Sequence, residues 1–290
     1  MEAQLYRKVY QHIMSVAHLP RQKYIQFSDQ RIVLVYVWAV LHDRAVTWAC
    51  KRRNWPKEMF EELPSDTTLS RRLRSLSVVH LIERVLAAAS DLFPSTMVKQ
   101  MDSKPLIVGA YSKDRDAKRG RIAAGQFARG YRLHTLTHGR AMLHWTLGSM
   151  NEHDSVYAPL LLRHLQGGGY VVADNAYDSN DLHRQAVAVN HQLIAPPRVA
   201  NRDVRDAKYN CPERLRALDI LNTPLKKCGL RGAFGQQLYN QREPIESFFG
   251  ELSMMGVNYL PAWVRGPRRV ALWMATKLLI YLCKRAKIRT

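Results

Sequence analysis

The chain has 290 residues, 47% of them hydrophobic and 23% charged: enough apolar matter for one large domain, or a catalytic domain with a small accessory one, and too much for wholesale disorder. Its 44 Lys and Arg face 24 Asp and Glu, a formal net charge of +20. That balance favours a polyanionic partner, nucleic acid ahead of a membrane surface, over a merely solvated basic surface.

Residues 29–50 carry a dense apolar face with no Gly or Pro and predict a helix. Trp55-Pro56 opens a second helix to about Glu62, Leu63-Pro64 breaks it, and Ser65 or Asp66 caps a third over 67–78. Two readings fit this pair. One is a helix-turn-helix with Arg71, Arg72 and Arg74 on and around the exposed side of its second helix, facing DNA; the other is a helical bundle with a solvated basic face. From residue 95 the texture changes. An alternating strand over 96–108 contains Asp102, and strands follow at 131–137 and 141–147, joined by a tight His138-Gly139-Arg140 turn. A helix over 153–165 ends at Gly167-Gly168-Gly169. A buried strand over 170–173 runs straight into Asp174, and a helix over 179–189 and a strand over 191–195 come next.

This order predicts an α/β fold of ribonuclease-H-like layout, a mixed sheet flanked by helices in which the first strand lies beside the fourth. Residues 197–238, with nine Lys/Arg against four Asp/Glu, read as a basic insertion. Residues 252–290 hold no acidic residue and eight Lys/Arg, with a last apolar helix over 270–283. The expected organisation is a helical region over 1–94 and a catalytic domain over 95–290. The apolar runs 32–41 and 270–283, the latter containing Lys277, are shorter than the roughly 20 residues a bilayer needs. No apolar leader opens the chain. Cys50, Cys211, Cys228 and Cys283 form no C-x-x-C pair, which disfavours zinc and suits reduced thiols. A cytoplasmic, nucleoid-associated protein with no membrane role is expected.

Three carboxylates stand out by context: Asp102 inside the first strand, Asp174 just past a buried strand, and Glu246 at the start of a late helix. Each has a plain reading alone, as an edge-strand surface residue, a helix cap and a helix N-terminal charge. Together they suggest more. A carboxylate on an apolar strand is costly unless paired or bound to metal. Two such groups at matched depth on adjacent strands repel until hard divalent cations neutralise them. A pair of ions roughly 3.5–4 Å apart stabilises both the attacking and the leaving oxygen of a phosphodiester displacement.

Tyr239-x₂-Arg242-x₃-Glu246 resembles most of the Tyr-x₂-Arg-x₃-Glu-x₆-Lys signature of bacterial insertion-sequence transposases of the DDE type. Ala-Asp174-Asn-Ala-Tyr-Asp-Ser is similar to their second-aspartate motif, and Asp102-Ser-Lys-Pro-Leu with the basic stretch that follows is similar to their first. The resemblance spans roughly residues 95–255, and a weaker likeness covers the helical N-terminus. It implies a ribonuclease-H-like core that cuts DNA and joins the freed 3′-hydroxyl to a target. It also implies Mg²⁺ or Mn²⁺ as cofactor, two ions per site, with Asp102, Asp174 and Glu246 as ligands and Tyr239 and Arg242 near phosphates. The basic stretch 112–132, with Arg119 and Arg121, would lie along double-stranded transposon-end or target DNA, the protein acting as a homodimer. Two departures stand out: Ser253 occupies the place of the signature lysine, and Pro244 forces the helix to begin near Glu243. Two rival functions remain, a nuclease that cuts without joining and a repurposed DNA-binding repressor. Trp263 suits core packing better than base stacking, and the five His between 134 and 164 suit structural roles.

Overall fold

The computed structural model describes residues 2–16, 26–57, 59, 62–197, 206–223 and 233–286, and divides into two compact units. The first comprises Met1–Pro94, Tyr111–Asp114 and Met255–Thr290; the second comprises Ser95–Ala110 and Arg115–Met254.

The first unit is helical: α1 (Glu2–Val16), α2 (Asp29–Leu41), α3 (Val46–Ala49), α4 (Asp66–Arg72), α5 (Leu76–Ser90) and the C-terminal helix Pro267–Arg285. Helix α2 is apolar on nearly every side, and Ile32 to Val40 are all buried, as befits a helix enclosed by others. Tyr6, Trp38 and Trp55 form an aromatic knot with ring centroids 4.9–5.8 Å apart. The indole N–H groups of Trp38 and Trp55 donate to the carbonyls of Asn54 and Ala49. The C-terminal helix packs on α1, α2 and α5. It therefore belongs to this unit, where the sequence suggested membership of the sheet domain. Its buried Lys277 is neutralised by Asp43 at 2.6 Å and donates to the carbonyl of Met255 at 2.8 Å, so the charge does not prevent burial.

The expected helix over 67–78 is two helices. Ser65 caps α4 by accepting from the Thr68 N–H, and α4 stops where the Ser75 hydroxyl donates to the carbonyl of Arg72. Of the helix expected over 56–62, residues 58, 60 and 61 lie outside the described residues, and 56, 57, 59 and 62 are not helical. Arg72 is turned inward, 2.5 Å from buried Asp29 and 3.0 Å from the carbonyl of Phe27, bracing α4 against α2. The helix-turn-helix with both Arg71 and Arg72 facing outward is thus corrected: Arg71 is exposed and Arg72 is committed to the fold.

The second unit is a mixed sheet with helices. Its strands are β1 (Val98–Val108), β2 (Lys118–Ala123), β3 (Gln126–His138), β4 (Ala141–Ser149), β5 (Gly169–Ala173) and β6 (His191–Ile194). β1 is flanked by antiparallel β3 and parallel β5, and β5 by parallel β6. On its other side β3 pairs first with β2 and then with β4. The first strand thus lies beside the fourth of the expected order, while β2 is a strand that polar Lys-Arg-Gly-Arg concealed. The helices are α6 (Asp154–Leu162), α7 (Asn180–Ala188), α8 (Pro212–Asn222), α9 (Phe234–Asn240) and α10 (Glu243–Met254). Met101, Leu136, Leu161, Val171, Tyr177 and Leu193 anchor the core on one face, and Val172, Ile194, Ala217 and Leu238 form a smaller cluster. The expected insertion 197–238 therefore contains α8 and the first five residues of α9, with 198–205 and 224–232 outside the described residues.

Gly130 sits where three strands meet, opposite both Ile107 and Lys118, and a Cβ there would stand 2.0 Å from the carbonyl oxygen of Leu106. Gly130→Ala should therefore lower stability by about 1–3 kcal/mol in urea unfolding. Gly109→Ala, where a Cβ meets nothing within 4 Å, should be near neutral. Equal stability of the two variants would refute this account of the three-strand junction.

Candidate active site

Strand register builds the site. In the parallel β1–β5 pair Met101 faces Ala173; the next residue along β1 is Asp102, and the residue that follows the end of β5 is Asp174. Asp102, inside β1, and Asp174, just past the end of β5, therefore stand at matching depth on neighbouring strands, the arrangement in which sequence reasoning expected two anions to meet. Asp174 accepts from the Ala176 N–H at 2.9 Å, so it also caps the short 3₁₀ turn that follows. Asp102 accepts from the Ser103 N–H at 2.8 Å.

A buried amide aligns the third element. The Thr137 hydroxyl donates to Oε1 of Gln100 at 3.2 Å, and Gln100 Nε2 donates to the carbonyl of Gln241 at 3.0 Å. This pins the turn between α9 and α10 to β1, and the next residue, Arg242, reaches the carboxylates. Its Nη2 lies 2.6 Å from Asp102 Oδ2 and its Nη1 3.2 Å from Glu246 Oε1. Helix α10 begins at Glu243, with Pro244 tolerated in its first turn. Tyr239, in the last turn of α9, accepts the Arg242 N–H on its carbonyl at 2.9 Å, and its hydroxyl lies in the field of Arg242, Asp174 and Asp102.

The electrostatics follow. Burial raises the Asp102 carboxyl to about 6, with Asp174 adding to the rise and Arg242 and the Ser103 N–H opposing it. Burial likewise raises the Tyr239 hydroxyl. Tyr177, from the second-aspartate motif, is fully buried in the combined field of Asp154, Asp102 and Asp174 and held well above its ordinary value, chiefly by burial.

Asp102 and Asp174 thus offer hard oxygen donors and excess negative charge, which suits a divalent cation. Glu246 does not join them: it is largely exposed and tied to Arg242. Among the described residues no three His, Cys, Asp or Glu side chains are grouped to hold a metal ion. The expected three-carboxylate set is therefore a pair plus an arginine-linked third member.

A second layer was not legible in the sequence. Arg132 donates to the Ser103 hydroxyl at 3.3 Å and to the carbonyl of Arg121 at 2.6 Å, and pairs with Asp154 at 3.4 Å. It ties β1, β2 and α6 together behind Asp102. Of the histidines, His134 is buried, stacked on Tyr157 and lowered to about 4, chiefly by burial; His144 stacks on His164 and is likewise lowered to about 4.

The β2–β3 ribbon carries the other basic candidates. Arg119 pairs with Arg129 and Arg121 with Phe127 across the strands, so all four share one exposed face. The Arg119 guanidinium lies 5.6 Å from the centre of the Phe127 ring. Arg71 is in the helical unit.

Over residues 95–283 the sequence matches the family described as transposase DDE domain. A solved structure, a piggyBac transposase synaptic complex with hairpin DNA, is similar with a TM-score of 0.51 at 10% identity, covering 99% of this chain and 75% of that one. A comparison with curated protein sequences finds no match.

Because Asp102 must lose its proton to accept a cation, Mn²⁺ affinity measured by calorimetry should fall about tenfold per pH unit below about 6 and level off above it. The raised value also means that the ionised carboxylate costs stability in the metal-free protein, a cost that appears as pH rises from about 3.8 to about 6. Affinity independent of pH between 5 and 7 would show that Asp102 is not a ligand.

Proposed function

We propose that Asp102 and Asp174 are the metal-holding pair of this chain, which belongs to the transposase DDE domain family and is a DDE-type DNA transposase. The family generally uses divalent metal ions. For this chain we take the cation to be Mg²⁺ or Mn²⁺, two per site, and the substrate to be the double-stranded ends of an insertion sequence and their target. We place the chain in the Tyr-Arg-Glu-Lys signature group on Tyr239, Arg242 and Glu246. The observation that carries the reading is the register that sets Asp102 beside Asp174.

Held by Asp102 and Asp174, divalent cations would supply activation of the attacking hydroxyl and stabilisation of the charge on the departing oxygen. The protein's own residues supply position. The β1–β5 register fixes Asp102 and the strand end from which Asp174 follows, the Ala176 N–H holds the Asp174 carboxylate, and Gln100 holds the turn that carries Arg242. Glu246 would be available to a cation were Arg242 to leave it for a DNA phosphate, which its planar fork can grip bidentately. The Tyr239 carbonyl, accepting the Arg242 N–H, fixes the turn that carries the guanidinium. Water cuts first and frees a 3′-hydroxyl, and that hydroxyl then attacks the target phosphodiester at the same site; no covalent protein intermediate is required.

The outward face of the β2–β3 ribbon, with Arg119, Arg121 and Phe127, would run along the DNA backbone. Exposed Arg71 of the helical region 1–94 is a second candidate contact. We expect a homodimer on paired DNA ends. No described helix is long and apolar enough to cross a membrane, and a nucleoid-associated location suits a protein of net charge +20.

Asp174→Ala and Asp102→Asn should each abolish Mg²⁺-dependent nicking of a plasmid carrying the sequences that flank this gene, while leaving duplex binding within about threefold of wild type. Nicking retained by either purified variant would refute the assignment. Binding without cleavage by the wild type would favour a repressor. Replacing both Arg119 and Arg121 by Ala should flatten the log–log salt dependence of binding by about 1.8, or 0.9 per lost phosphate contact, and an unaltered slope would remove the ribbon from the DNA footprint.

A further inference from the structure

We propose that Lys104 is the phosphate-holding lysine of this site, delivered from β1 to the position that Ser253 leaves without one. The inference rests on the transposase reading above.

Lys104 lies two residues beyond Asp102 on β1, so the two side chains stand on one face of the strand. Ser253 lies seven residues beyond Glu246 on α10, about two turns along and on the same side of the helix. The two elements meet there: Lys104 Nζ donates to the Ser253 hydroxyl oxygen at 2.8 Å. Ser253 is arranged to receive it. Its own hydroxyl proton goes to the carbonyl of Phe249 at 2.8 Å, leaving lone pairs directed at the ammonium. The Phe249 ring lies 6.0 Å from the same nitrogen.

The surrounding cations are engaged with carboxylates: Arg242 with Asp102 and Glu246, Arg132 with Asp154, and Arg140 with Glu251 at 3.6 Å. Lys104, half-buried, forms no ion pair among the described residues. An ammonium has three donors; one is used on Ser253, and the others remain for an anion beside Asp102. A lysine is a point donor that suits a single phosphate oxygen. The ligand class is therefore a backbone phosphodiester of the DNA strand held in the site. Lys104 acts as a positioning residue: it fixes a phosphate and neither takes nor gives a proton. Serine at 253 is then part of the device, since it seats the lysine that crosses from the strand.

The experiment uses the full chain and a duplex bearing the flanking ends, with Lys104→Met to keep the aliphatic stem, Lys104→Arg to keep the charge, and the double variant Lys104→Met with Ser253→Lys. Lys104→Met should flatten the log–log salt slope of binding by about 0.9 and slow nicking at saturating DNA by about 10–100-fold, with the Mg²⁺ midpoint and the urea midpoint unchanged. Lys104→Arg should retain the slope. The double variant, carrying the lysine on α10, should regain both slope and rate to within about threefold. Unchanged slope and rate in Lys104→Met, or a folded double variant as slow as Lys104→Met, would overturn the proposal. If the wild type binds but does not nick, the cleavage reading fails on its own and the salt slope alone decides Lys104: a slope flattened by its loss sustains the contact, and an unchanged one rejects it.

Discussion

Two like charges forced side by side organise the sheet unit. The parallel register of β1 against β5 sets Asp102 beside Asp174, and neither strand can slip by one residue without turning its apolar side chains out of the core. The repulsion is thus fixed by packing far stronger than itself. The groups around it are set accordingly: burial, with Asp174 adding to it, raises the Asp102 carboxyl to about 6, Arg242 lies 2.6 Å from Asp102, and Glu246 is bound by the same guanidinium. An arginine held between two candidate ligands balances the site when no cation is present and has somewhere else to go when a phosphate arrives.

The orienting layer combines a neutral pair with one engaged arginine. Gln100 and Thr137 sit inside the sheet, and their hydrogen bonds end on the backbone carbonyl just before Arg242. Arg132 does comparable work on the opposite side by joining Ser103, Asp154 and the end of β2. Preorganisation of this kind lets a site speed displacement chiefly by position and charge. None of these residues announces itself by spacing.

The legible part of the sequence was what periodicity and end signals control. Alternation around Asp102, the buried run before Asp174, the triple glycine after α6 and Pro244 at the head of α10 each marked an element found close to its expected place. The α/β mixed sheet was readable for that reason. β2 was not, because Arg119 and Arg121 alternate with Gly120 and Ile122 on a strand whose outward face is charged, and charge reads as loop. Gly120 is needed there because a Cβ would stand 1.9 Å from the carbonyl oxygen of Met150, a contact between residues 30 apart. Arg72 looked like a DNA contact because helical spacing cannot reveal a buried aspartate 43 residues away. Glu246 was placed with the aspartates on motif grounds, and the intervening arginine is a matter of three dimensions.

The helical unit closes only with the chain's last long helix, since Pro267–Arg285 packs on α1, α2 and α5 while residues 95–254 fold into the sheet unit between them. On the ribosome, where synthesis runs at about 5–20 residues per second, α5 emerges some 10–40 s before the helix that covers it. The N-terminal helices must keep an apolar face unburied through that interval, while the sheet unit, whose strands β1 to β6 are complete by Ile194, can settle first. A nascent chain halted before residue 267 would carry a formed carboxylate pair beside an open, sticky bundle, so a frameshift late in the gene would yield aggregating protein instead of a shorter working one.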